Sequence, residues 1–175
     1  PELPDWKIQE YADLMRPVKR ECEQDKNVRF ATTGDEIVAA YLSAGAPDSC
    51  MSKDADNYDS SVHPVYVYGA GDLALAYIYA EQWDIATKSP IIAARTICWP
   101  EKKIYSVVYG ENKDKSKLQG YLKLSGYREC FDFSGARLIK MAEKDGFVCP
   151  YLDKGMGIKD NGTHLIVAPA EDSAH

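Results

Sequence analysis

Ile91-Ile92-Ala93-Ala94-Arg95-Thr96-Ile97-Cys98-Trp99, then Pro100-Glu101-Lys102-Lys103, then Ile104-Tyr105-Ser106-Val107-Val108-Tyr109, is the stretch whose reading decides the fold class. β-Branched and aromatic residues dominate both arms, and a proline with three charged residues breaks the run between them. That pattern predicts an antiparallel hairpin. Regular alternation along the first arm places Arg95 on one face with Ile91, Ala93, Ile97 and Trp99. A guanidinium in such company needs a counterpart, either a buried carboxylate or an anionic ligand gripped by its bidentate fork. Arg137, in Gly135-Ala136-Arg137-Leu138, raises the same question less strongly.

Working upstream, residues 73–79 fit strand or short helix equally by periodicity. Gly69-Ala70-Gly71-Asp72 reads as a tight turn, since it lacks the spacing and the Lys-Ser or Lys-Thr of a phosphate loop. Pro64-Val65-Tyr66-Val67-Tyr68 is strand-like, and residues 46–62 form a long irregular loop. Thr33 and Glu36 make a capping box that opens a helix running to about residue 44, where Gly45 and Pro47 end it. Residues 28–32 form a short strand. Trp6, Ile8, Tyr11, Leu14, Met15 and Val18 recur at helical spacing, with Pro17 kinking or ending that first helix.

Downstream, Asp114 or Ser116 caps a helix carrying Leu118, Tyr121, Leu122 and Leu124, and Gly126 stops it. Short strands are expected over 136–141, 147–151 and 164–167, with Asp160-Asn161-Gly162 as a turn before the last. The whole is an α+β fold, a mainly antiparallel sheet packed by about three helices. It forms a single domain over residues 1–168, with 169–175 a frayed tail.

The chain has 175 residues, 45% hydrophobic and 27% charged, a globular balance that supports one ordinary core and argues against disorder. Its net charge of −6 disfavours nonspecific attraction to nucleic acid phosphates. The longest apolar runs, 73–80 and 91–94, fall short of the roughly 18 to 20 residues that span a bilayer, and no signal-peptide pattern opens the chain. A cytoplasmic protein with no membrane partner is expected. Five widely spaced cysteines without Cys-x-x-Cys suggest neither a disulfide framework nor zinc, and no metal or cofactor is expected.

Two constellations carry chemistry. Cys50 becomes a nucleophile if His63 accepts its proton and Asp72 orients that imidazole, with Ser49 and Arg95 contacting an anionic substrate or oxyanion. Alternatively, the acidic loop residues Asp54, Asp56 and Asp59, with Tyr58, Tyr66 and Tyr68, form an interface. The segment 54–65 does not complete a calcium loop, because it lacks the turn glycine and the twelfth-position glutamate.

Ser49-Cys50-Met51, His63-Pro64-Val65, Tyr68-Gly69, Ala94-Arg95 with Trp99-Pro100, and Pro150-Tyr151-Leu152-Asp153 occur in an order that resembles a diffuse family of phage- and prophage-encoded proteins with no agreed activity. The resemblance covers roughly residues 28–167 and implies a viral protein made in a bacterial cytoplasm. The hairpin followed by a helix ending in Leu124-Ser125-Gly126-Tyr127 is also similar to the centre of acetyltransferase-type folds. Gly110-Glu111-Asn112-Lys113 lacks their pyrophosphate loop, however, so acetyl-CoA is not expected. The leading expectation is a phage-encoded interaction protein that modulates a bacterial host protein, in counter-defence or nucleic acid handling. The alternative is a small cysteine-dependent enzyme of acyl transfer or hydrolysis, centred on Cys50 and His63.

Overall fold

A computed structural model describes residues 28–43, 45–49, 51, 62–86, 88–143 and 146–169. The expected first helix over residues 6–18 lies outside these residues, as do 170–175 of the expected tail, whose first residue, Pro169, instead pairs with Met156 at the end of a strand. Within them the fold is α+β, with mainly antiparallel sheets and two α-helices where about three were expected.

The frame is a long hairpin of β2 (Ala74–Asp84) and β3 (Ser89–Trp99), flanked by β1 (Arg29–Ala31) on the β2 side. On the other side β3 pairs with β4 (Ile104–Tyr105) and β5 (Tyr109–Gly110), and β4 pairs in parallel with β6 (Arg128–Glu129). Residues 73–79, ambiguous in sequence, are thus mostly strand. The ambiguity has a physical cause, because this sheet is covered on both faces and its strands read as continuous apolar runs. One face carries Ala74, Ala76, Ile78, Ala94 and Cys98 against Leu118 and Leu122 of helix α2 (Asn112–Leu124). The other carries Leu73, Leu75, Ile92 and Trp99 against Ile37, Ala40 and Tyr41 of helix α1 (Gly34–Leu42).

A second sheet of β7 (Arg137–Leu138), β10 (Met156–Asp160) and β11 (Leu165–Pro169) closes that side, with Leu138, Leu165 and Val167 in the core. A small hairpin of β8 (Ala142–Glu143) and β9 (Gly146–Phe147) stands between β7 and β10 in sequence. β7 and β9 are therefore shorter than the strands expected over 136–141 and 147–151, whereas β11 runs two residues beyond the expected 164–167. β10, which was not expected, pairs with β11 across the Asp160-Asn161-Gly162 turn, and β7 pairs with the other edge of β11 as the sheet's third strand.

The local signals at helix ends hold. Thr33 Oγ1 accepts from the Glu36 amide, and the Glu36 carboxylate accepts from the Thr33 amide, as a capping box requires. Gly45 (φ +72°) and Gly126 (φ +83°) adopt the left-handed conformation beyond the two helices. Helix α2 nevertheless starts ahead of Asp114 and Ser116, with Glu111 as an N-cap that makes no side-chain cap bond. Asp114 sits in the first turn, where a carboxylate complements the positive end of the helix dipole.

Pro64–Tyr68 is a 3-10 helix, not the expected strand. Proline sits in its first turn, and His63 Nδ1 accepts from the Val65 amide at 3.3 Å, so the segment has its own local hydrogen bonds and no ladder. It buries Pro64, Val65, Val67 and Tyr68 together, which a strand with one solvent face would not do. Gly69 follows where the chain presses on the start of α1: a Cβ there would stand 2.0 Å from the Gly34 nitrogen. Among the described residues no helix is long and apolar enough to cross a membrane.

Candidate functional site

Arg95 lies at the middle of the central strand, opposite Tyr77 on β2 and Tyr109 on β5. Its face differs in part from simple alternation. A register shift after Ile78 pairs Tyr79 with Ile92, so Ile92, and not Ile91 or Ala93, joins the core on the side of Trp99. The arm after the Pro100 turn is likewise interrupted: β4 and β5 part at residues 106–108, where Ser106 N still bonds Ile97 O at 2.9 Å.

That parting opens a cavity of about 360 Å³, whose wall includes Tyr41, Ser49, Met51, Arg95, Ser106 and Tyr109. Arg95 is 1% exposed. Its Nη2 donates to the Pro47 carbonyl at 2.8 Å, and its guanidinium carbon lies 4.1 Å from the Tyr41 ring centroid and 5.2 Å from that of Tyr109. Nε has no hydrogen-bond partner, and among the described residues no carboxylate forms an ion pair with this guanidinium. The two aromatic faces contribute about 0.5 to 2 kcal/mol each. A buried, unpaired cation costs several kcal/mol, so they offset it only partly.

Two carboxylates, Asp48 and Asp153, stand in the same wall. Tyr109 Oη donates to Asp153 Oδ1 at 2.6 Å, a short charge-assisted bond that complements the burial in holding the phenol well above its usual range. Tyr68 Oη donates to the Tyr151 carbonyl at 2.9 Å, and burial above all raises its pKa far beyond the ordinary value.

The two residues expected to bind a ligand, Arg95 and Ser49, thus share one cavity. Ser49 Oγ also accepts from the Met51 amide at 3.1 Å. The expected catalytic set is not assembled among the described residues. Cys50 lies outside them. His63 spends Nδ1 on capping the 3-10 helix, and burial lowers its pKa against the opposing pull of a hydrogen bond with the Met51 backbone. Asp72 does not orient His63. It accepts from Arg137 N at 2.8 Å and faces the Arg137 guanidinium at 3.3 Å. Burial works to raise the Asp72 pKa, but the hydrogen bonds and charge of Arg137 outweigh it and hold the carboxyl low. Arg137 therefore has a structural partner, whereas among the described residues Arg95 has none of that kind.

Of the expected interface residues, Asp54, Asp56, Tyr58 and Asp59 lie outside the described residues. Tyr66 is half-buried on the 3-10 helix, its ring filling the space over Gly34. Tyr68 is 1% exposed and offers no surface to a partner, a correction that follows from the helical turn replacing a strand.

Sequence reasoning missed Tyr41 and Asp153 as parts of the site. Tyr41 was legible only as one of the inward positions of α1, four residues after Ile37. Asp153 ends the Pro150-Tyr151-Leu152-Asp153 block, which marked the residue without its role. Among the described residues no group of three His, Cys, Asp or Glu is placed to hold a metal ion. Comparison of the chain with protein-family models, with curated proteins and with solved structures finds no match.

Proposed function

We propose that the protein binds a small anionic molecule, held by Arg95. One observation carries the reading: a guanidinium that is 1% exposed, without an ion-pairing carboxylate among the described residues, forms part of the wall of a 360 Å³ cavity. Volumes of this order are typical of small-ligand sites, which are mainly apolar with a few convergent polar groups. An incoming carboxylate or phosphate supplies the missing counter-charge and planar acceptors for the fork. The stacked tyrosines hold the guanidinium in place before the ligand arrives, which reduces the ordering cost of binding.

Thermal denaturation against a panel of small carboxylates and phosphates tests this, with Arg95→Met as control. A saturable rise in Tm for wild type, absent in the variant, is expected. At a hundred times Kd, binding stabilises by about 2.7 kcal/mol, which for a chain of this size is roughly 5 to 10 °C. If no anion in the panel gives a saturable shift, the proposal fails.

A second reading keeps the expectation of a phage-encoded protein that acts on a bacterial host protein. Ile85 supports it, being 93% exposed in the turn that joins β2 and β3. Isoleucine at a hairpin tip is a ready anchor for a partner's pocket. Capture from host lysate on immobilised wild type and Ile85→Ser protein tests it. A partner retained equally by both, or by neither, counts against this role for the hairpin.

A further inference from the structure

We infer that the Arg95 cavity is built for a zwitterion of amino-acid size, a carboxylate and an ammonium on an apolar body, and not for a phosphate. The inference rests on the anion-binding reading of the cavity and deepens it. It starts from the charges in the wall. Arg95 is the one cation among the described lining residues, set against the half-buried carboxylate of Asp153. A phosphate monoester carries close to two negative charges near neutral pH, and only one of them would meet a cation among the described lining residues. The remainder would face the half-buried carboxylate of Asp153, where like charges repel. A monocarboxylate that also carries an ammonium satisfies both signs at once.

The geometry allows this in a small molecule. Tyr109 connects the two poles: its ring lies 5.2 Å from the Arg95 guanidinium carbon, and its hydroxyl touches Asp153 at 2.6 Å. The two charges are therefore separated by no more than one phenol side chain and its contacts, a span that one small molecule can bridge. Asp153 is half-buried and uses Oδ1 for Tyr109, so its carboxylate still has acceptor capacity for an ammonium. Met51, Phe133, Leu152 and Met156 contribute apolar wall to the same cavity, and thioethers adapt to side chains of different shape.

The test uses paired probes with one body. L-Phenylalanine carries both charges, N-acetyl-L-phenylalanine lacks the ammonium, L-phenylalaninamide lacks the carboxylate, and phenyl phosphate replaces the head group. L-Valine, L-leucine and L-tryptophan vary the side chain. Calorimetric titration of the wild-type chain is expected to show at least one free amino acid binding tenfold or more tightly than its N-acetyl and amide forms, with phenyl phosphate weakest. Asp153→Asn keeps an acceptor for Tyr109 and is expected to erase the preference for the free ammonium, weakening the free amino acid while N-acetyl-L-phenylalanine binds at least as tightly as to wild type. If the N-acetyl form or phenyl phosphate binds as tightly as the free amino acid, the zwitterion is overturned and the anion site stands. If no probe binds, or binding survives Arg95→Met in a folded protein, both readings fall.

Discussion

Arg95 and Tyr41 stack face to cation, the guanidinium carbon 4.1 Å from the ring centroid, although one sits on the central strand and the other on helix α1. The contact ties the helix to the sheet and covers one side of a buried charge. It also sets apart the stability of the fold from the proposed use of the site, because a cation kept dry by a tyrosine is a poor stabiliser.

Arg95→Met should therefore leave the unliganded protein as stable as wild type or more so, by up to a few kcal/mol, because an apolar chain of similar length removes the desolvation cost. Urea denaturation measures it. A loss of more than about 2 kcal/mol would mean that stacking and the Pro47 bond outweigh the cost of burying the charge.

Tyr109→Phe removes the donor that Asp153 holds at 2.6 Å. The expected cost is about 1 to 3 kcal/mol, since a half-buried carboxylate loses its charge-assisted bond. In a double-mutant cycle with Asp153→Ala the two losses should overlap by about 0.5 kcal/mol or more. Strict additivity would show that the bond contributes nothing.

Two glycines give opposite outcomes with the same substitution. Gly120→Ala, in helix α2 with nothing within 4 Å of the new methyl, should stabilise by about 1 kcal/mol through helix propensity. Gly69→Ala would drive its Cβ to 2.0 Å from the Gly34 nitrogen, where only backbone can give way, and should cost about 3 kcal/mol or more. Thermal denaturation of both variants checks the pair, with roughly 2 to 4 °C expected per kcal/mol.

His63 predicts a pH response near neutrality. Burial lowers its pKa in the folded state, and its Nδ1 must stay unprotonated to accept from Val65. The unfolded chain then binds the proton more readily, so this contribution is present above the ordinary value of about 6.5 and is lost as pH falls through the lower folded value. His63→Asn retains an acceptor for the cap without titrating. Wild type should lose Tm below about pH 6.5 relative to this variant; parallel curves down to pH 5 would refute the assignment. Asp72, whose pKa is also lowered, acts in a separate window below the ordinary carboxylate range.

The elements that could be read from sequence are those whose hydrogen bonds close within a few residues. Thr33 and Glu36 cap α1 across three positions, and Gly45 and Gly126 permit the turns beyond the helices. The same local logic misplaced Pro64–Tyr68, because alternating valine and tyrosine suit a strand as well as a buried 3-10 turn. It also placed the start of α2 too late, because Glu111 begins the helix without a side-chain signature.

By itself the sequence determined the α+β class, the helix starts and stops that carry their own caps, and the presence of one cation inside an apolar strand. Tertiary structure alone decided what surrounds that cation. Tyr109 meets Asp153 across 44 positions and Asp72 meets Arg137 across 65, while Tyr41 reaches Arg95 from a helix that precedes the hairpin. Contacts of this separation leave no local periodicity, since they form only when the sheet's register and the packing of its two faces bring distant side chains together. The register shift in β3 is the clearest case: it changes which residues share the face with Arg95, and nothing within the strand's own alternation announces it.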